Sequence, residues 1–293
     1  MKICFVLPAK NEEFTIENVI EEINNISIRL FNIKSDIVIV SDSTDKTNEK
    51  VEKIENVKLI ISNNSGLGRA MYVGLKYASK LGSDYICSID SDGQVDLNEI
   101  KLFYETIHNS EYDIIIGSRF LKNELIKYNY KISNRFGTIL LKSIINLLTN
   151  YKVTDSHGGI RIMRKKVAQN LKLLGNHTYV QETLIDAYEN NFNLLEIPSK
   201  WLVRNHGVSK VVRSKINYIL NVFPVLFCRS NLHKKIFYPI SIILFVVGLA
   251  NMFFYNFTNG ILFSIFSFVL INFAFGIEQY MHIIFTIKEK DNN

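Results

Sequence analysis

Short apolar runs alternate with amphipathic stretches along the first 212 residues of the chain. Runs rich in Ile and Val predict strands at residues 3–7, 36–40, 57–61, 85–89 and 113–117. Between these runs, apolar positions at helical spacing predict helices at residues 12–30, 47–54, 68–81 and 97–108. Continuous apolar strands joined by helices are typical of an α/β fold with a mainly parallel sheet and helices on both faces. Such sheets bind ligands at the carboxyl ends of their strands.

The C-terminal part of the chain has a different pattern, because no charged residue occurs between Ile236 and Ile277. That length fits two membrane spans of about 20 residues each. We predict transmembrane helices at residues 236–255 and 261–281, joined by a turn at residues 256–260.

Basic residues flank this predicted hairpin on both sides. His233-Lys234-Lys235 precedes the first span, and Lys288-Glu289-Lys290 follows the second. Positive flanks stay on the cytoplasmic side, so the N-terminal domain is expected in the cytoplasm. Residues 215–227 are apolar but bracketed by basic residues, as in a helix that lies in the lipid headgroup layer. A core helix is the alternative for that segment.

These patterns predict four regions. Residues 1–212 form a cytoplasmic domain and residues 213–235 an amphipathic interfacial segment. Residues 236–285 form two transmembrane helices, and residues 286–293 a cytoplasmic tail. The N-terminal apolar run is too short for a signal peptide.

Composition narrows the function without defining it. The 293 residues carry a formal net charge of +6, which suits a phosphorylated substrate or an anionic membrane surface. Lys and Arg are spread along the chain, and we find no nucleic-acid-binding motif. Cys4, Cys87 and Cys228 lie far apart in the sequence, which indicates a reducing compartment and no disulfide framework.

Asp90-Ser91-Asp92 follows the fourth predicted strand and precedes Gly93-Gln94. Two carboxylates one residue apart, then a glycine that lets the backbone turn, suit a divalent cation held against a diphosphate. Mg²⁺ and Mn²⁺ prefer oxygen ligands and leave positions for water and phosphate. The alternative is an Asp-rich turn at a strand end. Pro8, Asp42 and Gly66 also follow predicted strands, and this shared edge favours a ligand site.

The strand-end motifs form an ordered series. They are Pro8-Ala9-Lys10-Asn11-Glu12, Ser41-Asp42-Ser43-Thr44-Asp45, Asn63-Asn64-Ser65-Gly66-Leu67-Gly68, Asp90-Ser91-Asp92-Gly93-Gln94 and Gly117-Ser118-Arg119-Phe120. Later motifs are Ser133-Asn134-Arg135, Asp155-Ser156-His157-Gly158-Gly159-Ile160-Arg161, Gln181-Glu182 and Arg204-Asn205-His206-Gly207-Val208-Ser209-Lys210. Over about residues 3–215 the series resembles family 2 glycosyltransferases with the GT-A (Rossmann-like) fold. With the terminal hairpin, it resembles their polyprenyl-phosphate branch, the dolichol-phosphate mannose and undecaprenyl-phosphate glucose synthases.

The resemblance implies a donor site for a nucleotide-sugar, formed by Pro8, Glu12, Asp42, Asp90, Ser91, Asp92, Arg119, Arg204 and Lys210. Pro8, Glu12 and Asp42 would line the nucleoside pocket. Asp92 and Gln94 would bind Mg²⁺ or Mn²⁺, and Asp90 would contact the nucleotide beside the metal. Arg204 and Lys210 would close over the diphosphate. The metal and these cations would stabilise the charge of the leaving nucleoside diphosphate.

The resemblance also implies an acceptor site. Arg119 would bridge the donor diphosphate and the lipid phosphate, and Lys131, Ser133 and Arg135 would receive the acceptor phosphate. The catalytic groups would therefore be Asp90, Asp92 and Arg119. A lipid phosphate is already an anion near pH 7, so its attack on the anomeric carbon needs no strong general base. Asp155, the residue otherwise suspected as a base, is expected to be structural or to orient Arg119 or Arg135.

We predict an inverting, metal-dependent transfer of one sugar from GDP-mannose or a UDP-hexose to dolichyl or undecaprenyl phosphate at the cytoplasmic membrane face. A processive polysaccharide synthase shares this domain, but such enzymes typically carry Gln-x-x-Arg-Trp, whereas Trp201 here precedes Arg204. A non-catalytic membrane scaffold of a transferase complex would have lost the metal and phosphate residues. The nucleobase of the donor, uracil or guanine, stays open because Lys10 replaces the aromatic residue often found before Asn-Glu. A homo-oligomer also stays open.

Overall fold

A computed structural model describes residues 2–63, 65–122, 124–127, 130, 132–204 and 215–290. The chain divides into two compact units, residues 1–218 and residues 219–293, which we describe separately. The strands are β1 Ile3–Ala9, β2 Asp36–Ser41, β3 Val57–Ile61, β4 Tyr85–Ile89, β5 Ile114–Ser118, β6 Ile160–Arg164 and β7 Leu194–Pro198. The helices are α1 Ile16–Phe31, α2 Thr47–Val51, α3 Leu67–Lys80, α4 Ile100–His108, α5 Ile132–Thr149, α6 Lys165–Asn170, α7 Val180–Glu189, α8 Lys215–Arg229, α9 Leu232–Phe254 and α10 Phe257–Lys290.

A seven-stranded sheet in the order β3-β2-β1-β4-β6-β5-β7 organises the first unit. β1 is parallel to β2 and β4, β2 to β3, and β5 to β7. β6 runs antiparallel to both of its neighbours, β4 and β5. The carboxyl ends of the other six strands and the amino end of β6 therefore lie at one edge, which we call the carboxyl edge. This topology confirms the predicted α/β fold with a mainly parallel sheet.

The middle of the sheet is buried because helices cover it. Every residue of β4 and β5 is buried, and one core cluster joins Phe5 of β1 to Ile20 of α1 and Phe103 of α4. α3 packs closely on β1 and β2, since a Cβ at Gly74 would lie 2.6 Å from a Val6 methyl group. The carboxyl edge is thus carried by a rigid, close-packed scaffold.

β6 and β7 were not among the predicted strands. In β6, arginines at the second and last positions interrupt the apolar residues, so the strand lacks the continuous apolar run that marks β4. The predicted helix at residues 97–108 begins with a 3₁₀ turn, Leu97–Glu99, because the Asp96 side chain accepts a hydrogen bond from the Asn98 N–H. α4 follows this turn directly at Ile100.

α9 and α10 form the hairpin of the second unit. Both are long and apolar enough to cross a membrane. Most of their residues are not buried, unlike those of the core helix of a soluble protein. Ser241 and Ser267 each donate a hydrogen bond to the other's backbone carbonyl at 2.8 Å. Glu278 accepts from the Tyr238 hydroxyl at 2.7 Å and pairs with Lys234 at 3.3 Å.

The predicted turn at residues 256–260 was wrong, because α10 already begins at Phe257. The Asn256 side chain accepts a hydrogen bond from the Asn259 N–H at 3.1 Å and caps the helix. Gly260 lies inside α10, where a Cβ at Gly248 of α9 would approach its carbonyl oxygen to 3.0 Å. Gly260 therefore does not form a turn; it allows α9 and α10 to pack closely.

Candidate functional site

The carboxyl edge brings most of the predicted site residues together. The loops after β1, β2 and β4 carry residues 10–12, 42 and 90–94, and β5 ends just before residue 119. The segment after β7 carries residues 199–204. Because β6 is antiparallel, the loop that precedes it, residues 155–159, also lies at this edge. One edge of the sheet therefore collects carboxylates and arginines from six segments.

The loop after β4 folds back at Gly93, whose φ is +72°. The Gln94 N–H donates to Asp92 Oδ1 at 3.0 Å and closes the turn. Arg204 Nη2 donates to Asp92 Oδ2, and Arg204 Nε and Nη2 donate to Gln94 Oε1 at 3.3 and 3.2 Å. The side-chain oxygens of Asp92 and Gln94 thus converge on a single cationic group.

Asp90 adds a second carboxylate to this loop. Removal from water and, after it, the neighbouring Asp92 charge raise the pKa of the Asp90 carboxyl above its ordinary value. Arg204, Arg161 and Arg119 act in the opposite direction. Burial and the neighbouring carboxylate thus disfavour a negative charge on Asp90, whereas the three arginines favour it.

This donor set fits a divalent cation. Asp92 and Gln94 offer a carboxylate and an amide oxygen, both hard ligands, and these oxygens already meet around a positive charge. Within the described ranges, no three His, Cys, Asp or Glu side chains are grouped to hold a metal. A cation bound here would therefore have few protein ligands, as suits one that shares its coordination with water and a diphosphate.

Arg119 forms a buried ion pair with Asp155. Arg119 Nε donates to Asp155 Oδ2 at 2.6 Å and Nη2 donates to Oδ1 at 2.9 Å, a bidentate arrangement. Burial raises the pKa of Asp155, but the Arg119 charge and hydrogen bonds outweigh it and leave that pKa below its ordinary value. Asp155 therefore orients Arg119, one of the two arginines considered for it.

The loops on the predicted nucleoside side are tied together by hydrogen bonds. The Asn11 N–H donates to Ser43 Oγ and the Glu12 N–H to Thr47 Oγ1, both at 2.9 Å. Lys10 Nζ lies 2.6 Å from Asp42 Oδ2. The ends of β1 and β2 thus hold Glu12 and Asp42 in adjoining loops.

Pro8 and Ser91 are linked directly. The Ser91 hydroxyl donates to the Pro8 carbonyl at 2.6 Å, and the Thr15 hydroxyl donates to the Ser91 carbonyl at 3.0 Å. Thr15 also lies 3.4 Å from Glu12 Oε2. The structure therefore brings together Pro8, Glu12 and Ser91. Ser91 joins the first motif to the loop of residues 90–94, which we call the aspartate loop.

Three predicted residues lie wholly or partly outside the described part of the chain. These are Lys131, Lys210 and the side chain of Ser133. Arg135 is exposed on α5. The predicted acceptor site is thus described only at Arg119 and Arg135.

A polar cluster beside Asp155 was not predicted. His157 Nδ1 lies 3.0 Å from Ser156 Oγ, and His157 Nε2 lies 3.0 Å from Gln181 Nε2. Gln181 Oε1 accepts from Thr178, so its amide nitrogen donates to an unprotonated His157 Nε2. Burial lowers the pKa of His157 to about 4, which agrees with a neutral ring.

Arg161 holds this cluster in place. Its side chain is fully buried and donates to the backbone carbonyls of Val180, Gly158 and Ser156 at 2.9, 3.4 and 3.4 Å. It therefore joins the loop before β6 to the start of α7. An arginine between two isoleucines of a short apolar run was the sequence signal for this buried charge.

Sequence comparisons relate the chain to known proteins. The sequence model described as "Glycosyl transferase family 2" matches residues 4–172. A UDP-N-acetylglucosamine–dolichyl-phosphate N-acetylglucosaminyltransferase of Methanococcus voltae is 29% identical over 237 residues, 74% of this chain and 92% of its own length. A dolichyl-phosphate hexose transferase of Haloferax volcanii is 25% identical over 198 residues, 67% of this chain and 81% of its own.

Structural comparison concerns the fold alone. Glucosyl-3-phosphoglycerate synthase of Mycobacterium tuberculosis, solved with Mn²⁺, UDP and phosphoglyceric acid, superposes with a TM-score of 0.58 at 18% identity. The match covers 78% of each chain and confirms the predicted GT-A fold. The family match at residues 4–172 spans more than half of the chain and contains both the aspartate loop and Arg119. The chain therefore belongs to glycosyl transferase family 2 and is a glycosyltransferase.

Proposed function

We propose that this glycosyltransferase moves one sugar from a nucleotide-sugar, GDP-mannose or a UDP-hexose, to a polyprenyl phosphate, with inversion and with Mg²⁺ or Mn²⁺. The observation that carries the proposal is the convergence of Asp92 and Gln94 oxygens on one cation position. The names of two relatives, which specify transfer involving dolichyl phosphate, support the acceptor class. The Mn²⁺ in the mycobacterial enzyme supports the cation.

On the donor side, the residues that the structure describes would bind the charged groups of the nucleotide-sugar and its cation. Asp92 and Gln94 would hold the divalent cation, which would neutralise the diphosphate and the charge that develops on it as the sugar leaves. Arg204 would then leave these two oxygens and turn to the diphosphate, since guanidinium forks match phosphate oxygens. Pro8, Glu12 and Asp42 would line the nucleoside pocket.

On the acceptor side, Arg119 would face the lipid phosphate, together with Lys131, Ser133 and Arg135. Asp155 is committed to Arg119 through both carboxylate oxygens, and its lowered pKa makes it a weak proton acceptor. This supports a reaction without a general base, in which the lipid phosphate oxygen itself attacks the anomeric carbon.

We also place the enzyme in the cell membrane with its catalytic domain in the cytoplasm. α9 and α10 would span the bilayer as a hairpin, and residues 213–235 would lie at its surface. Basic residues stand at the open end of the hairpin, where Lys234 pairs with Glu278. Their positive charge favours the cytoplasmic side for that end.

The test is the substitution Asp92→Ala. Loss of one of two proposed cation ligands should abolish metal-dependent turnover, a fall of at least about a hundredfold, while thermal unfolding shows that the protein still folds. Asp96→Ala is the matched control, because Asp96 lies in the same loop but caps the 3₁₀ turn and pairs with Lys200. Unchanged metal-dependent turnover in Asp92→Ala would contradict the assignment.

A further inference from the structure

Trp201 is the single tryptophan of the chain and was given no role in the predicted site. The centroid of its ring lies 4.4 Å from Arg119 Cζ, nearer than the rings of Phe120 and Tyr130 at 5.3 and 5.5 Å. Cation–π contact at this distance is attractive and fixes the guanidinium against the ring. Since Asp155 holds two nitrogens of Arg119, the indole and the carboxylate together set its position.

The same ring lies beside the aspartate loop. A Cβ at Gly159 would lie 2.7 Å from Trp201 Cζ2 and 3.0 Å from Asp90 Oδ2. The indole edge and the Asp90 carboxylate therefore pack side by side on the backbone of Gly159. Trp201 thus touches the surroundings of both Arg119 and Asp90.

The backbone around Trp201 joins two further parts of the site. The Leu202 N–H donates to the Gln94 carbonyl at 2.8 Å, two residues before Arg204. On its other side, the Trp201 N–H donates to the Leu125 carbonyl at 2.8 Å, and the Lys127 N–H donates to the Trp201 carbonyl at 2.9 Å. Residues 125–127 precede α5, which carries part of the proposed acceptor site.

The face of the indole, and not its N–H, contacts Arg119. Trp201 Nε1 is buried and has no hydrogen-bond partner among the residues that the structure describes. We propose that Trp201 is a positioning residue that fixes Arg119 relative to the aspartate loop. It would thereby link Arg119, the cation of the proposed acceptor site, to the donor site. This inference rests on the proposed function, because it concerns the same site.

The single tryptophan provides a direct spectroscopic test on the full-length protein. Mg²⁺ alone, and then UDP or GDP with Mg²⁺, are titrated while Trp201 emission and, in parallel, the heat of binding are recorded. We expect one nucleotide with Mg²⁺ to shift or quench the emission, with the same midpoint as the calorimetric curve. Calorimetric binding with unchanged emission would overturn the inference and leave the proposed function intact. Absence of any heat with either nucleotide would count against the proposed function instead.

Two substitutions test the positioning role. Trp201→Phe keeps a ring face and should retain the transfer rate within about threefold, whereas Trp201→Leu should lower kcat by at least about tenfold. Adding Trp201→Leu to Arg119→Lys should cost little beyond Arg119→Lys alone, since both changes disturb one unit. Equal losses in the Phe and Leu variants, or additive losses in the double variant, would overturn the proposal.

The control separates this role from general packing. Tyr104→Leu removes another aromatic ring of the same unit, one that stacks on His108 at a centroid distance of 5.4 Å. It should lower the thermal midpoint without changing kcat. If Trp201→Leu fails to fold, the emission titration and the Trp201→Phe variant still decide the question.

Discussion

At the scale of single residues, the site is a balance of opposed charges. Asp92 pairs with Arg204. Asp155 pairs with Arg119, and both side chains are buried: Arg119 is 4% exposed and Asp155 0%. Removing one partner of such a pair would leave the other charge uncompensated, which typically costs about 3–5 kcal/mol. The two arginines therefore stabilise the site by compensating the charges of these carboxylates.

Gly159 is the position at which a small change should disturb this balance most directly. In Gly159→Ala, the new methyl group would enter the space shared by the Trp201 ring and the Asp90 carboxylate. Because sub-ångström displacement of reacting groups is costly, we expect the transfer rate to fall at least about tenfold. Steady-state rates with the purified enzyme measure the effect.

Gly82→Ala serves as the comparison, since a Cβ at Gly82 meets nothing within 4 Å. It should leave both the transfer rate and the thermal midpoint near those of the wild type. A Gly159→Ala enzyme as active as Gly82→Ala would show that the packing of Trp201 and Asp90 is not needed.

At the scale of elements, the antiparallel strand β6 completes the site. Hydrophobic runs predicted the first five strands, and so placed the motifs after β1, β2, β4 and β5 on one edge. They did not predict β6, because Arg161 and Arg164 interrupt its apolar residues. The contacts of Asp155, His157 and Gly159 with the rest of the site depend on the direction of β6, which the sequence pattern does not encode.

The link between β6 and α7 also depends on long-range contacts. Gln181 was visible only as part of a motif, and its pairing with His157 joins residues 24 apart in the chain. Local spacing cannot reveal such a pairing, since both side chains come from loops or helix starts positioned by the sheet. The positions of charged residues near strand ends were easier to predict from the sequence than these neutral contacts.

His157 gives this link a pH dependence. The folded protein keeps the ring neutral down to about pH 4, whereas the unfolded chain takes up a proton near the ordinary value of 6.5. The contribution of His157 to stability is therefore complete above about pH 6.5 and is lost as the pH falls towards 4. The thermal midpoints of the wild type and of His157→Gln should differ less at pH 5 than at pH 7.5. A difference that does not change with pH would contradict the assignment of a neutral His157 ring that accepts a hydrogen bond from Gln181.

At the scale of the whole molecule, a family 2 catalytic domain and a hydrophobic hairpin occur in one chain. The uncharged run from Ile236 to Ile277 predicted both long helices, but α9 begins earlier, at Leu232, and α10 extends from Phe257 to Lys290. An enzyme for a water-soluble acceptor has no evident need for such a hairpin, whereas a polyprenyl phosphate lies in a bilayer. The combination therefore favours a lipid acceptor over a soluble one.

Identification of the lipid product tests this central claim most directly. Membranes that carry the protein are incubated with a polyprenyl phosphate, Mg²⁺ and one radiolabelled nucleotide-sugar at a time, including UDP-N-acetylglucosamine, UDP-glucose and GDP-mannose, and the lipids are extracted. We predict that one donor labels a lipid bearing a single sugar on its phosphate. A labelled polymer, or no labelled lipid from any donor, would contradict the account.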